Sequence, residues 1–127
     1  MINFSKDSVL NLKPIDKSTV IDEVQALLIG GEEVLEAFQT MRDQFVFTNK
    51  RIIAIDVKGI TGKKKEFSTL PYSNVQYFSI QTPGLIEILP DCELELYFNN
   101  GFQATFEFKG QCNIVEIGKV ISQYVLQ

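Results

Sequence analysis

The sequence predicts a mainly β fold with helices: a small barrel or bent sandwich of antiparallel strands capped by a C-terminal α-helix, with a further helix near the N-terminus. Three observations lead there. Residues 45–57, F-V-F-T-N-K-R-I-I-A-I-D-V, read as a hairpin of β-branched and aromatic residues around Asn49-Lys50. Residues 91–109 read as a second hairpin around Asn99-Asn100-Gly101. The chain then ends on Ile114, Ile117, Ile121, Tyr124 and Val125, spaced as one stripe of a helix over residues 113–125.

Taken in order, the first fifteen residues are expected to be an irregular arm, because Pro14 breaks any helix begun near Ser8. Val20, Ile21, Val24, Leu27 and Leu28 then form a helical stripe over residues 18–29, opened by a capping-box-like Thr19 and Asp22 and stopped by Gly30-Gly31. The stripe must lie on something, either the domain's own sheet or a neighbouring subunit. Residues 33–41 read as a strand with Val34, Phe38 and Ala37 inside, and Glu36 signals a bulge or twist. Arg42-Asp43 is a tight reversal into the first hairpin.

A two-residue turn at Asn49-Lys50 opposes Phe47 to Ile52, Val46 to Ile53 and Phe45 to Ala54. One face then carries Phe45, Phe47, Ile52 and Ala54. The other carries Val46, Ile53, Ile55 and Val57 beside Gln44, Thr48 and Arg51, so both faces call for a cover. Beyond it, Gly59 and Gly62 mark a loop with the basic cluster Lys58, Lys63, Lys64 and Lys65. A short strand over 65–70 ends at Pro71, and another begins by Val75 with Tyr77, Phe78 and Ile80 as its apolar residues. Pro83-Gly84 suit a type II turn, and the apolar run 85–89 between two prolines reads as an edge or connection.

The last hairpin admits two registers. A three-residue loop with Gly101 left-handed opposes Phe98 to Phe102, Leu96 to Ala104, Leu94 to Phe106 and Cys92 to Phe108, all apolar on one face, and is preferred. Cys92 becomes a small core residue, inert by burial.

A chain of 127 residues suits one domain core, divided here as an N-terminal arm and helix, 1–31, and a barrel, 32–127. With two cysteines and no histidine, neither a zinc site of ordinary spacing nor a Ser-His or Cys-His nucleophile can be built. The glycines near Lys63 lack phosphate-loop spacing, and no pair of carboxylates stands out. No enzyme activity and no cofactor are expected. The net charge of −4 argues against nucleic acid. No basic-then-apolar leader and no run of 18 apolar residues occurs, so a cytoplasmic location with reduced thiols is expected.

The segments T-N-K-R-I-I at 48–53, L-P-Y-S-N-V at 70–75 and D-C-E-L-E-L-Y-F at 91–98 together resemble the bacterial pleckstrin-homology-like domains. The likeness spans roughly residue 32 to the C-terminus. It implies a PH-like barrel plugged by the last helix, and it implies homo-oligomers, often rings. Eukaryotic relatives implied by the fold bind inositol phosphates through basic residues between the first two strands. Here that loop is Thr40-Met41-Arg42-Asp43, one arginine beside an aspartate in a turn too tight to wrap a headgroup.

Two functions follow as expectations. The first is a non-catalytic interaction or assembly module that binds protein partners or itself, with Val46, Ile53, Ile55 and Val57 as an oligomer contact, because the apolar faces exceed what a small barrel buries. The second is binding of an anionic lipid or phosphate headgroup by Lys58, Lys63, Lys64 and Lys65. Solvated, edge-protecting lysines compete with that reading, and membrane contact is not the expectation of choice.

Overall fold

A computed structural model describes residues 9–82, 91–110 and 113–127. Among them, eight strands form one sheet bent around a core, in the order β5-β4-β3-β2-β1-β8-β7-β6. The strands are β1 (Val9–Ile15), β2 (Val34–Gln39), β3 (Gln44–Thr48), β4 (Arg51–Lys58), β5 (Lys64–Pro71), β6 (Val75–Gln81), β7 (Asp91–Phe98) and β8 (Gln103–Lys109). Helix α1 (Asp22–Leu27) precedes β2, and α2 (Ile114–Val125) closes the chain. The Pro83-Gly84 turn, the 85–89 run and Cys112 lie outside the described residues.

The first hairpin has the expected register, with Phe47 opposite Ile52, Val46 opposite Ile53 and Phe45 opposite Ala54. The second takes the three-residue loop: Phe98 N–H donates to Phe102 O at 2.8 Å, Gly101 has φ 88°, and Leu94 and Cys92 face Phe106 and Phe108. Inward residues of both hairpins make one aromatic core. Phe38 meets Phe47 edge-on at 5.5 Å between centroids and Phe108 at 4.7 Å, and Ile114, Ile117 and Ile121 of α2 seal it. Asn113 caps α2, its side chain accepting from Glu116 N–H.

Three expectations need correction. Residues 9–15 are not an irregular arm but a strand joining the two halves of the sheet, antiparallel to β2 and parallel to β8. Pro14 is tolerated because its register gives it Phe38 of β2 as partner, beyond the last β8 pairing at Leu12–Phe108. The sheet is therefore not wholly antiparallel, and residues on both sides of position 31 share it.

The leading helix is also shorter than 18–29. Asp16 accepts from Ser18 N–H and Thr19 Oγ1 donates to Asp16 O, which closes a 3₁₀ turn over Lys17–Thr19 in place of the Thr-Asp box. Val20 and Ile21 are extended and α1 begins only at Asp22. Last, Val34, Ala37 and Phe38 are all inside as expected, but Val34 and Phe38 lie on different faces. The bulge signalled by Glu36 lies between Val34 and Glu36, and it turns Val34 toward Ala37 while Leu35 and Phe38 face the aromatic core.

Candidate interaction surface

The Thr48–Arg51 turn is a junction for the whole fold. Glu32, its side chain fully buried, accepts from Thr48 Oγ1 at 2.7 Å, Arg51 Nε at 2.9 Å, Arg51 Nη2 at 3.0 Å and Ile29 N–H at 3.1 Å. Burial pushes the Glu32 carboxyl up, but the bonds from Arg51, Thr48 and Ile29 outweigh it and hold it below its ordinary range. Arg51 also donates to Leu27 O at 2.6 Å, so the last carbonyl of α1 is tied to the hairpin. Asn49 exchanges bonds with Glu33 and Gly31, while Tyr72 and Tyr124 donate to the carbonyls of Thr48 and Asn49. Sequence reasoning placed this turn at the tip of the first hairpin but missed Glu32, whose partner lies 19 residues away.

The hairpin residues expected at an oligomer contact are already covered. Val46, Ile53 and Ile55 are buried and Val57 is half-buried, packed with Val20 and Val24 of the same chain's leading segment. Of the two seats open to that helix, its own sheet is the one occupied.

The lysine cluster divides. Lys65 pairs with Glu23 of α1 at 2.9 Å and Lys58 lies 3.6 Å from Glu66, which leaves Lys63 and Lys64 as the exposed members. The β2–β3 turn abuts this loop: Thr40 N–H donates to Asp43 O at 2.9 Å, and Arg42 Nη2 donates to Gly59 O at 2.9 Å. At the two tips Met41 and Ile60 are fully exposed.

A different surface lies at the sheet's other end. β6 is an edge, paired only to β7 among the described strands, and α2 runs beside it. Between them is an open groove of about 630 Å³, with Phe78 and Ile80 on the strand side and Val115, Lys119, Ser122 and Leu126 on the helix side. Gly118 permits the approach, because a Cβ there would lie 2.6 Å from Ile80 Cδ1. Ile80, Val115 and Leu126 keep 36%, 62% and 80% exposure, so among the described residues this apolar surface has no cover. On the sheet's outer face Tyr77 stacks on Tyr97 at 4.2 Å, and Tyr97 donates to Glu95 at 2.6 Å, which pushes its phenol up to about 12. Burial, with Glu95 and Glu107 nearby, pushes the Glu93 carboxyl up.

A bent sheet plugged by a C-terminal helix, with open loops at one end and a strand-helix groove at the other, is a PH-like fold. The chain belongs to the family described as Bacterial PH domain, whose profile matches residues 3–125. It is 36% identical over 114 residues to the uncharacterized protein YjqA of Bacillus subtilis, covering 88% of this chain and 90% of that one. It is 32% identical over 111 residues to the uncharacterized YozO of the same organism, covering 87% and 94%. Among solved structures it resembles a DUF1696-family protein with a pleckstrin-homology domain from Shewanella loihica, with TM-score 0.66, 30% identity and coverage of 91% and 98%. It also resembles a pleckstrin homology domain from Shewanella amazonensis, with TM-score 0.58, 34% identity and coverage of 89% and 90%. Such a fold serves in general as a non-enzymatic binding module. Among the described residues, no helix is long and apolar enough to cross a membrane.

Proposed function

We propose that this chain is a non-catalytic docking module that binds protein, itself or another, along the open β6 edge and the groove beside α2. The observation that supports it is the coincidence of a strand edge unpaired among the described strands with exposed Ile80, Val115 and Leu126. An extended segment added to such an edge gains backbone hydrogen bonds, and neighbouring pockets select its side chains. The opposite edge, β5, is less receptive, because Lys64 and Lys65 guard it. Site-specific photo-crosslinking in cells tests this. A benzophenone side chain at Val115 should yield a protein adduct, with a second copy or with another chain, while one at Ile60 should not. Adducts from position 60 alone would refute the reading.

A second reading has an observation of its own. Met41 and Ile60 project from adjoining loops beside Arg42, Lys63 and Lys64, an arrangement suited to touching an anionic membrane. Two exposed lysines contribute roughly 1 kcal/mol each at such a surface. With Lys58 and Lys65 set against carboxylates and a net charge of −4, the resulting affinity is weak. Cosedimentation with phosphatidylglycerol vesicles, with and without Lys63→Glu and Lys64→Glu, measures it; salt-sensitive micromolar binding lost in the double variant would favour the membrane.

A further inference from the structure

We infer that Asn100 is a site of spontaneous covalent modification: its side-chain amide is attacked by the backbone nitrogen of Gly101, at a rate governed by how often the β7–β8 loop opens. The inference is independent of the docking reading and needs no reactant but water.

The sequence singles out one position. Of the asparagines, Asn100 alone precedes a glycine. Glycine has no Cβ to shield its nitrogen, so the preceding side chain can close on it, whereas Asn49, Asn74 and Asn113 precede Lys50, Val75 and Ile114. The hairpin then sets the pair in solvent. Asn100 and Gly101 are both exposed, and a Cβ built on Gly101, whose φ is 88°, would meet nothing within 4 Å.

The chemistry balances with water alone. Gly101 N, once its proton has passed to a base in solution, bonds to Asn100 Cγ; the Cγ–Nδ2 bond breaks, ammonia leaves, and a cyclic imide joins the two residues. Water then opens the ring on either side. Attack at Cγ gives an ordinary aspartate, while attack at the backbone carbonyl carbon gives a β-linked aspartate whose side-chain carbon has become main chain. Either product adds one negative charge to a net −4.

The closed loop opposes the first step. Gly101 N–H donates to Phe98 O at 3.0 Å, and Asn100 Oδ1 accepts from Phe102 N–H at 3.0 Å, so both bonds must break before the nitrogen can reach Cγ. Opening is local, because this loop is the tip of a hairpin, closed besides by Phe98 N–H donating to Phe102 O at 2.8 Å. One net hydrogen bond shifts an equilibrium about fivefold, so two should slow the reaction on the order of 25-fold relative to an unstructured chain. The two products differ in what they do to the fold. An ordinary aspartate still offers an oxygen to Phe102 N–H. The β-linked form lengthens the main chain by one carbon and no longer fits the three-residue turn. Its effect reaches further, since Asn99 N–H donates to Asn74 O at 2.9 Å and so ties this loop to the Tyr72–Asn74 turn on which α2 packs.

The test incubates the full chain at pH 8, beside a peptide of residues 94–107, and follows the gain of about 1 Da by peptide mapping. An isoaspartyl methyltransferase assay counts the β-linked product. The gain should fall at Asn100, run on the order of 25-fold slower in the folded chain than in the peptide, and approach the peptide's rate in urea below the unfolding midpoint. Asn100→Gln should abolish it, because the longer side chain closes a larger ring; the site is exposed, so that variant should melt like the parent. Conversion first at another asparagine, or an equal gain in Asn100→Gln, overturns the site. A folded chain that converts as fast as the peptide overturns the protection assigned to the loop. A chain that stays unmodified until it unfolds globally overturns local opening as the route.

Discussion

Replacing Glu32 with glutamine should remove the charge at the centre of the hairpin junction while preserving its shape. The carboxylate accepts four hydrogen bonds between 2.7 and 3.1 Å, two of them from an arginine whose side chain is only 17% exposed. Hydrogen bonds to charged groups contribute roughly 1.5–3 kcal/mol each. Glutamine keeps one acceptor, and Arg51 keeps Leu27 O and Thr69 Oγ1, so the net loss should be about 2–3 kcal/mol. For a chain of this size that corresponds to a fall in Tm of roughly 6–10 °C. The pH dependence has a definite sign. Because the folded-state pKa lies below the ordinary 4.5, the ionised carboxylate stabilises the fold above that value, and the increment is lost as pH falls through the folded-state value. Urea unfolding between pH 7 and 3 should show an acid-labile component in the parent that is missing in Glu32→Gln. A variant within about 0.5 kcal/mol of the parent, with the same acid limb, would refute the view that this junction holds the leading segment to the barrel.

Other outcomes follow from the packing. Ile117→Asp buries an unpaired charge at a position 1% exposed and should cost several kcal/mol; an unchanged melt would mean α2 is not docked. Removing residues 1–29 deletes β1 and uncovers Val46, Ile53 and Ile55, so the truncated chain should aggregate, and a soluble, cooperatively folded product would contradict the role assigned to β1. In a tyrosinate absorbance titration Tyr97 should ionise near pH 12, and Glu95→Gln should bring it back toward 10; an unmoved midpoint would exclude the Glu95 bond as the cause.

What could be read from sequence was what local rules determine. Period-two patterning and turn chemistry gave both hairpin registers, since a one-residue slip would have turned Phe45 and Phe47, or Leu94 and Leu96, out of the core. The bulge near Glu36 was legible because Val34-Leu35-Glu36-Ala37-Phe38 breaks alternation. Strand β1 was not, because Pro14 reads as a breaker unless one knows that the pairing on that side ends at Leu12 and Phe108. The Glu32–Arg51 pair required the tertiary fold to bring two distant residues together. The four lysines looked like one cluster because they are near in sequence; pairing Val57 with Lys65 and Lys58 with Lys64 sends alternate ones to opposite faces. The groove escaped notice because α2 was read for its buried stripe alone, and Val115 and Leu126 gain meaning only once β6 lies beside them.

The docking claim is tested most directly by the amide NMR spectrum of the labelled chain, recorded as its own concentration is raised and as a ten-residue peptide of alternating valine and threonine is added. Shifts confined to β6 and α2, centred on Phe78, Ile80, Val115 and Lys119, are the predicted result. Shifts centred on the loops of Met41 and Ile60, or a spectrum unchanged at millimolar peptide, would contradict it.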